Sequence, residues 1–232
     1  LLLRLAAVVP HALGQYAPRE YLRLLMPLGI DACNTAKKLG YSRVAAENAA
    51  HFFAEQKNGL GTPRVGIVPG AGAKFKEWPA ARFGELAVRI WEKYRAQIFI
   101  IGGEGDREAV EHMKRSIPKG VSYVDTTGRF SIDELKAFIA GLSLFISADT
   151  GPIYIAEAFD VPTVDIVGPV DEKDQPPHGA NHAVVFDKNR AKPVTGVFTN
   201  KFFSMREARR QAEAISVYDV FSAAACILDT RL

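Results

Sequence analysis

The chain has 232 residues, 48% of them apolar and 24% charged, with a formal net charge of +3; this is enough to bury a sizeable core and excludes the disordered, fibrous and disulfide-stapled classes. The positive charge is dispersed, and the basic clusters at 188–192 and 206–210 are short and lack interleaved aromatics, which excludes nucleic acid as the expected partner. The two cysteines, Cys33 and Cys226, stand in no paired or metal-ligand spacing, so a reducing compartment is expected, with both packed as small hydrophobes.

The opening LLLRLAAVVP is interrupted by Arg4 and Pro10, is too short to span a bilayer and has no clear signal-sequence form. The chain begins without methionine, as a processed or truncated piece of a longer protein would. Helices are expected over 19–26 and 43–57, with Gly29 and Gly59 as C-terminal caps, and no strong strand run separates them. Residues 1–60 therefore read as the tail of a preceding domain plus a linker.

From residue 64 two periods alternate. RVGIVPG (64–70) is a β-rich run stopped by Pro-Gly; a helix follows in which Phe83, Leu86, Ala87, Ile90, Trp91 and Tyr94 share one face, with Pro79 in its first turn. QIFIIGG (97–103) is a second strand, and a polar helix is expected over about 106–116. VSYV (121–124) is a third strand, and Ser131 to Glu134 form a capping box before Leu135, Phe138 and Ile139. LSLFIS (142–147) and TVDIVG (163–168) are the fourth and fifth strands. Two more capped helices, opening at Ser204 and Ser216, close the chain, the second with a stripe of Val217, Val220, Phe221, Ala224, Ile227 and Leu228 that must dock on the fold. Short, nearly all-apolar strands alternating with amphipathic helices predict an α/β fold, a Rossmann-like parallel sheet with helices on both faces.

In such a sheet, ligands bind outside the carboxyl ends of the strands, where helix N-termini present free N–H groups. The strand exits here are PGAGAKFKEWP, GGEGD, DTTGRFS and ADTGP. Gly70 and Gly72 would let the backbone approach a phosphate, with Lys74 or Lys76 as countercharge; equally, Gly70 suits a plain turn and both lysines a surface. Glu104 is either a ribose-binding acid or a solvated loop acid. Thr150 and Gly151 open the helix after the fourth strand and could hold a diphosphate, and Asp149 either caps that helix or faces a sugar hydroxyl or a lysine. Asp149-Thr150-Gly151 is also the tripeptide of aspartic proteases, but those need an all-β frame and two such loops; the near-copy at 125–128 has the wrong spacing. His178 and His182, in QPPHGANH, have no carboxylate or cysteine at metal spacing. No GxSxG, GxxxxGK[ST] or HExxH occurs, and Gly-Gly-Glu-Gly does not match the dinucleotide fingerprint.

Taken in order, VPGAGAKFKEWPAARFGELA, IIGGEGD, SIDELKAFIAGLSLFISADTGPIYIAEAF and VPTVDIVGP make residues 15–228 similar to glycosyltransferase family 9, the bacterial ADP-heptose:lipopolysaccharide heptosyltransferases. The most specific elements are Lys-x-Trp-Pro at 76–79 and Asp-Thr-Gly-Pro at 149–152 with the later Val-Gly-Pro. The resemblance implies a GT-B fold of two Rossmann-like domains facing each other across a cleft. This chain would be its C-terminal half: 1–60 the end of the N-terminal domain plus linker, 61–200 the nucleotide-sugar-binding domain, 201–232 helices packing back on the fold. The family's acidic general base would lie in the N-terminal half, outside this chain.

Further expectations follow from the resemblance. Lys76 matches the lysine beside the donor phosphates and, with Asp149, would form the catalytic pair. Gly70, Ala71 and Gly72, Glu104 at the adenosine ribose, Phe130 at the base, and Thr150, Gly151, Pro152 and Tyr154 would bind the donor. The family pattern Asp-Thr-Gly-x-x-His has Tyr154 at its last position here, a neutral donor in place of an imidazole. The implied activity is inverting transfer of a heptose or related sugar from an ADP-sugar to the lipopolysaccharide core. No cofactor is expected, and no metal ion, because no Asp-x-Asp stands at a strand end. A cytoplasmic location, with peripheral association at the cytoplasmic face of the inner membrane, is implied as well. Alternatives are a non-catalytic module that binds a nucleotide or nucleotide sugar, and a nucleotide-sugar epimerase on the same fold.

Overall fold

A computed structural model describes residues 8–10, 12, 14–56, 62–197 and 204–231. In chain order the elements are α1 (Ala17–Arg23), α2 (Arg43–Glu55), β1 (Arg64–Val68), α3 (Ala80–Tyr94), β2 (Gln97–Ile100), α4 (Arg107–Arg115), β3 (Tyr123–Asp125), α5 (Ile132–Ala140), β4 (Leu144–Ala148), α6 (Gly151–Ala158), β5 (Thr163–Ile166), β6 (His182–Val185), α7 (Met205–Ala214) and α8 (Val217–Asp229), with 3₁₀ turns at Met26–Leu28, Lys74–Lys76 and Glu104–Asp106.

The six strands form one sheet of order β3-β2-β1-β4-β5-β6, and every pairing is parallel. Val65 of β1 is in register with Ile98 on one side and Leu144 on the other. The winding direction reverses between β1 and β4, which opens a crevice at their carboxyl ends.

Successive side chains of a strand point to opposite faces, and both faces here are covered. Val65, Ile67, Ile98, Ile100, Leu144, Ile146, Val164 and Ile166 meet Phe83, Leu86 and Ile90 of α3, Met113 of α4, and Val220 and Leu228 of α8. The other face packs Phe99 and Phe145 against Phe52 and Phe53 of α2, Phe138 of α5 and Ile153 of α6. Phe53 stacks on Phe138 with centroids 5.0 Å apart. Thus α2, within the stretch read as tail and linker, contributes two phenylalanines to the core of the sheet.

Helix starts follow their sequence signals. Ser131 and Glu134 form the reciprocal box that opens α5, and the hydroxyls of Ser204 and Ser216 accept from the amides of Glu207 and Asp219. Three expectations need correction. The third strand is Tyr123–Asp125 rather than 121–124. A sixth strand, His182–Val185, begins at the last residue of QPPHGANH, where no strand is expected from the sequence; it is half-buried edge structure, and its apolar run, Ala183 to Phe186, is short and lacks alternation. Cys33 and Cys226 are exposed rather than packed: Cys33 lies in irregular chain before α2, and Cys226 falls off the apolar stripe of α8. Gly29, at φ 72°, does close a 3₁₀ turn, whereas Gly59 lies outside the described residues. Among the described residues no single helix is long and apolar enough to cross a membrane.

Candidate functional site

The carboxyl ends of β1 to β4 enclose a cavity of about 270 Å³, near the lower end of the usual range for small-molecule sites. Its walls are Gly70, Ala71 and Gly72 after β1, Gly102, Gly103 and Asp106 after β2, Thr126, Gly128 and Phe130 after β3, and Thr150 and Pro152 after β4. A larger cavity of about 770 Å³ lies between the Lys74–Lys76 turn, α4 and α7. Two of its cations are paired within it, Lys74 with Glu108 at 2.9 Å and Arg209 with Glu213 at 2.8 Å. The smaller cavity is the better candidate because bare glycine backbone, a helix start and the reversal of winding coincide there.

Gly70 is required sterically: a Cβ there would lie 2.1 Å from Oδ1 of Asp106. The other oxygen of Asp106 accepts the Gly103 amide at 2.8 Å, so this acid ties the β1 and β2 exits together. Thr126 fixes the β3 exit, both its amide and its hydroxyl donating to the Ile100 carbonyl at 2.9 Å. Gly128 has φ +70°. The Phe130 ring stacks on Phe138 at 4.7 Å and meets Phe52 edge-on at 5.5 Å, which holds a flat aromatic wall in place.

Glu104 stands at the rim rather than in the wall. Its side chain is 69% exposed and accepts two bonds from Arg107, each 2.6 Å. Arg107 holds the carboxyl below its ordinary pKa.

Beyond Thr150 the site continues into a buried charged cluster. Lys76 Nζ donates to Oδ2 of Asp149 at 2.8 Å, and the Tyr154 hydroxyl donates to Oδ1 at 2.5 Å. Asp149 therefore pairs with a lysine and does not cap the helix: Thr150 is the N-cap of α6, without a side-chain cap bond. Burial, then the Asp149 charge, push the Tyr154 phenol far above its ordinary pKa, so it remains a neutral donor. Gly151 opens α6, and its amide belongs to the first turn, where helical acceptors are lacking.

The Lys-x-Trp-Pro spacing has a mechanical explanation. Trp78 is 1% exposed, donates its indole N–H to the Ile215 carbonyl between α7 and α8 at 3.0 Å, and meets Phe83 edge-on at 4.8 Å. Pro79 is the N-cap of α3. With the tryptophan anchored and α3 begun, Lys76 is aimed across to β4.

Four contributors escaped sequence reading. Asp106 reads only as a helix start, and Trp78 only as a motif letter. Lys37 comes from the segment before α2, pairs with Glu157 of α6 at 2.7 Å, donates to the Tyr16 hydroxyl at 3.2 Å and lies 5.2 Å from the Tyr154 ring centre; no local pattern marks it. Asp165 is the fourth, 1% exposed on β5, with no hydrogen-bond partner on either oxygen among the described residues. A lone acid in an otherwise apolar doubly covered strand was its available signal.

Among the described residues no group of three His, Cys, Asp or Glu could hold a metal ion. His182 faces Thr163, Nδ1 to Oγ1 at 3.0 Å, and burial lowers its pKa.

A wholly parallel sheet wound in this order, with glycine-bared loops and a helix start converging where the winding reverses, defines a Rossmann-like α/β domain built to hold a ligand at its strand ends. The chain belongs to glycosyltransferase family 9 (heptosyltransferase), whose sequence model matches residues 6–198. Lipopolysaccharide heptosyltransferase 1 of Salmonella typhimurium is 28% identical over 140 residues, 59% of this chain and 43% of that protein. Lipooligosaccharide heptosyltransferase 2 of Haemophilus influenzae is 28% identical over 119 residues, 50% of this chain and 34% of that protein. The chain thus spans less than half the length of these curated relatives. A family 9 glycosyl transferase from Veillonella parvula has the same fold, with a TM-score of 0.76 at 22% identity over 93% of this chain and 60% of that one. ADP-heptose lipopolysaccharide heptosyltransferase II of E. coli gives 0.66 at 19% identity over 83% and 54%.

Proposed function

We propose that this chain supplies the donor-binding half of an inverting glycosyltransferase that moves a heptose, or a related sugar, from an ADP-sugar to the lipopolysaccharide core. The observation that carries the reading is Lys76, paired with Asp149 immediately before Thr150, the N-cap of α6, which lines the glycine-walled cavity. In this reading residues 61–200 are the nucleotide-sugar domain, the base lies against Phe130, the ribose near Glu104, and the diphosphate at Thr150, Gly151 and Lys76. Tyr21, Leu24, Met26, Leu28 and Ile30 are exposed ahead of α2, apolar surface of the kind a facing domain covers.

The acceptor hydroxyl gives its proton to a carboxylate acting as general base outside these residues and attacks the anomeric carbon. The bond from that carbon to the diphosphate oxygen breaks, the nucleoside diphosphate leaves and the configuration inverts. Negative charge grows on the diphosphate, where Lys76 and the first amides of α6 offset it; a preorganised donor of this kind contributes ~3 to 4 kcal/mol to the transition state. With the charge balanced by protein groups, the reaction needs no divalent ion. The protein works in the cytoplasm, peripheral to the inner membrane.

Calorimetry with ADP, paired with analysis of sugar transferred to a lipopolysaccharide core acceptor by the intact protein, tests this. Failure to bind ADP would refute the donor site. Tyr154 in place of the family histidine favours a second reading, nucleotide binding without transfer; ADP binding with no sugar on the acceptor would select it.

A further inference from the structure

Asp165 has no place in the mechanism above. Its register partner across the sheet is Ser147, whose hydroxyl is also buried and unpartnered among the described residues. Asp149 lies just past the end of β4, two positions after Ser147, and its charge acts on Asp165. An ionised carboxylate so buried, with no donor on either oxygen, is too costly to persist beside a second carboxylate, and the proton stays on.

The groups around it agree. Asp149 just after β4, Lys76 from the 3₁₀ turn and Glu157 from α6 are the charges acting on Asp165, with Tyr154 bonded to Asp149 and Lys37 bonded to Glu157. Val184 of β6 faces it in register and carries no charge. Burial first, then Asp149 and Glu157, drive its pKa well up, against Lys76 alone.

Lys76 is paired with Asp149. A diphosphate can use the ammonium only if Asp149, itself buried, finds another partner; Tyr154 supplies one bond, and a second neutral donor is needed. We propose that Asp165 is a positioning residue of the diphosphate site, acting in its acid form as the hydrogen-bond donor that holds Asp149 when Lys76 turns to the ligand. This rests on the nucleotide-diphosphate reading above.

The test compares the intact protein with Asp165→Ala and Asp165→Asn, using ADP calorimetry, thermal melting and carboxyl ¹³C NMR. Asp165→Ala removes a buried ionisable group, so its Tm rises while ADP binding weakens about tenfold or more, the scale of one charge-assisted hydrogen bond. Asp165→Asn keeps a neutral N–H donor and restores most of that loss. NMR shows Asp165 protonated at about pH 7, far above its ordinary titration range. The proposal is overturned if Asp165→Ala binds ADP like the wild type, if Asn fails to restore what Ala loses, or if Asp165 is ionised at that pH. ADP binding by none of the three proteins would sink the donor-site reading, and this role with it, while the protonation of Asp165 would still be read by NMR.

Discussion

Lys76 is the residue whose removal tests the mechanism most directly. Lys76→Ala in the intact protein should lower turnover about a hundredfold or more with a smaller change in KM, because the charge it offsets develops in the transition state; steady-state kinetics would measure it, and an unchanged turnover would remove Lys76 from the chemistry. Tyr154→Phe deletes the 2.5 Å bond to Asp149 and leaves that buried oxygen unpaired. ADP affinity should fall by about fivefold to tenfold in calorimetry, since a bond to a charged group is at stake. Which of these residues matter was only partly legible beforehand. Asp149 admitted a capping role as well as a lysine partner, and Glu104 a ribose role as well as a solvated one. The distances decide the first, and the second is paired with Arg107 at the rim.

The elements carry the site through their ends. α3 and the α7–α8 junction both contact Trp78, which anchors the chain two residues after Lys76. Trp78→Phe keeps most of the apolar packing but loses the indole bond; we expect about 1 kcal/mol of lost stability in denaturant unfolding, with reduced turnover because Lys76 is aimed less well. Ser131→Ala opens the capping box of α5, at about 1 kcal/mol in the same measurement. Strands and helices were readable because their periods of two and 3.6 are local properties of the chain. β6 was not, because a short edge strand is specified by its neighbour β5, to which Val184 and Val185 pair, more than by its own pattern.

For the whole molecule, two buried or bridging acids have opposite pH signatures. Asp133, which accepts from Ser42 and pairs with Lys136, bridges α5 to the segment before α2, and those bonds bring its pKa from the usual 3.8 down to about 2. Its contribution is present above the unfolded value and lost as pH falls toward the folded one. Asp165 is raised, so its cost accrues as pH climbs from the unfolded value toward the folded one, and is fully present above it. Acid unfolding followed by circular dichroism should therefore begin at higher pH in Asp133→Asn than in the wild type. A wild-type-like acid limb in that variant would show that the bridge does not survive in solution.

The alternation of apolar strands with amphipathic helices, and the gathering of Gly, Thr, Lys and acids at strand exits, were determined by sequence alone, because secondary-structure period and turn chemistry act over a few residues. Tertiary structure alone decided that Lys76 meets Asp149, that Lys37 crosses to Glu157, and that Asp165 is sealed without a partner. Those pairings join residues far apart in the chain, and only the order and register of the parallel strands bring them within bonding distance.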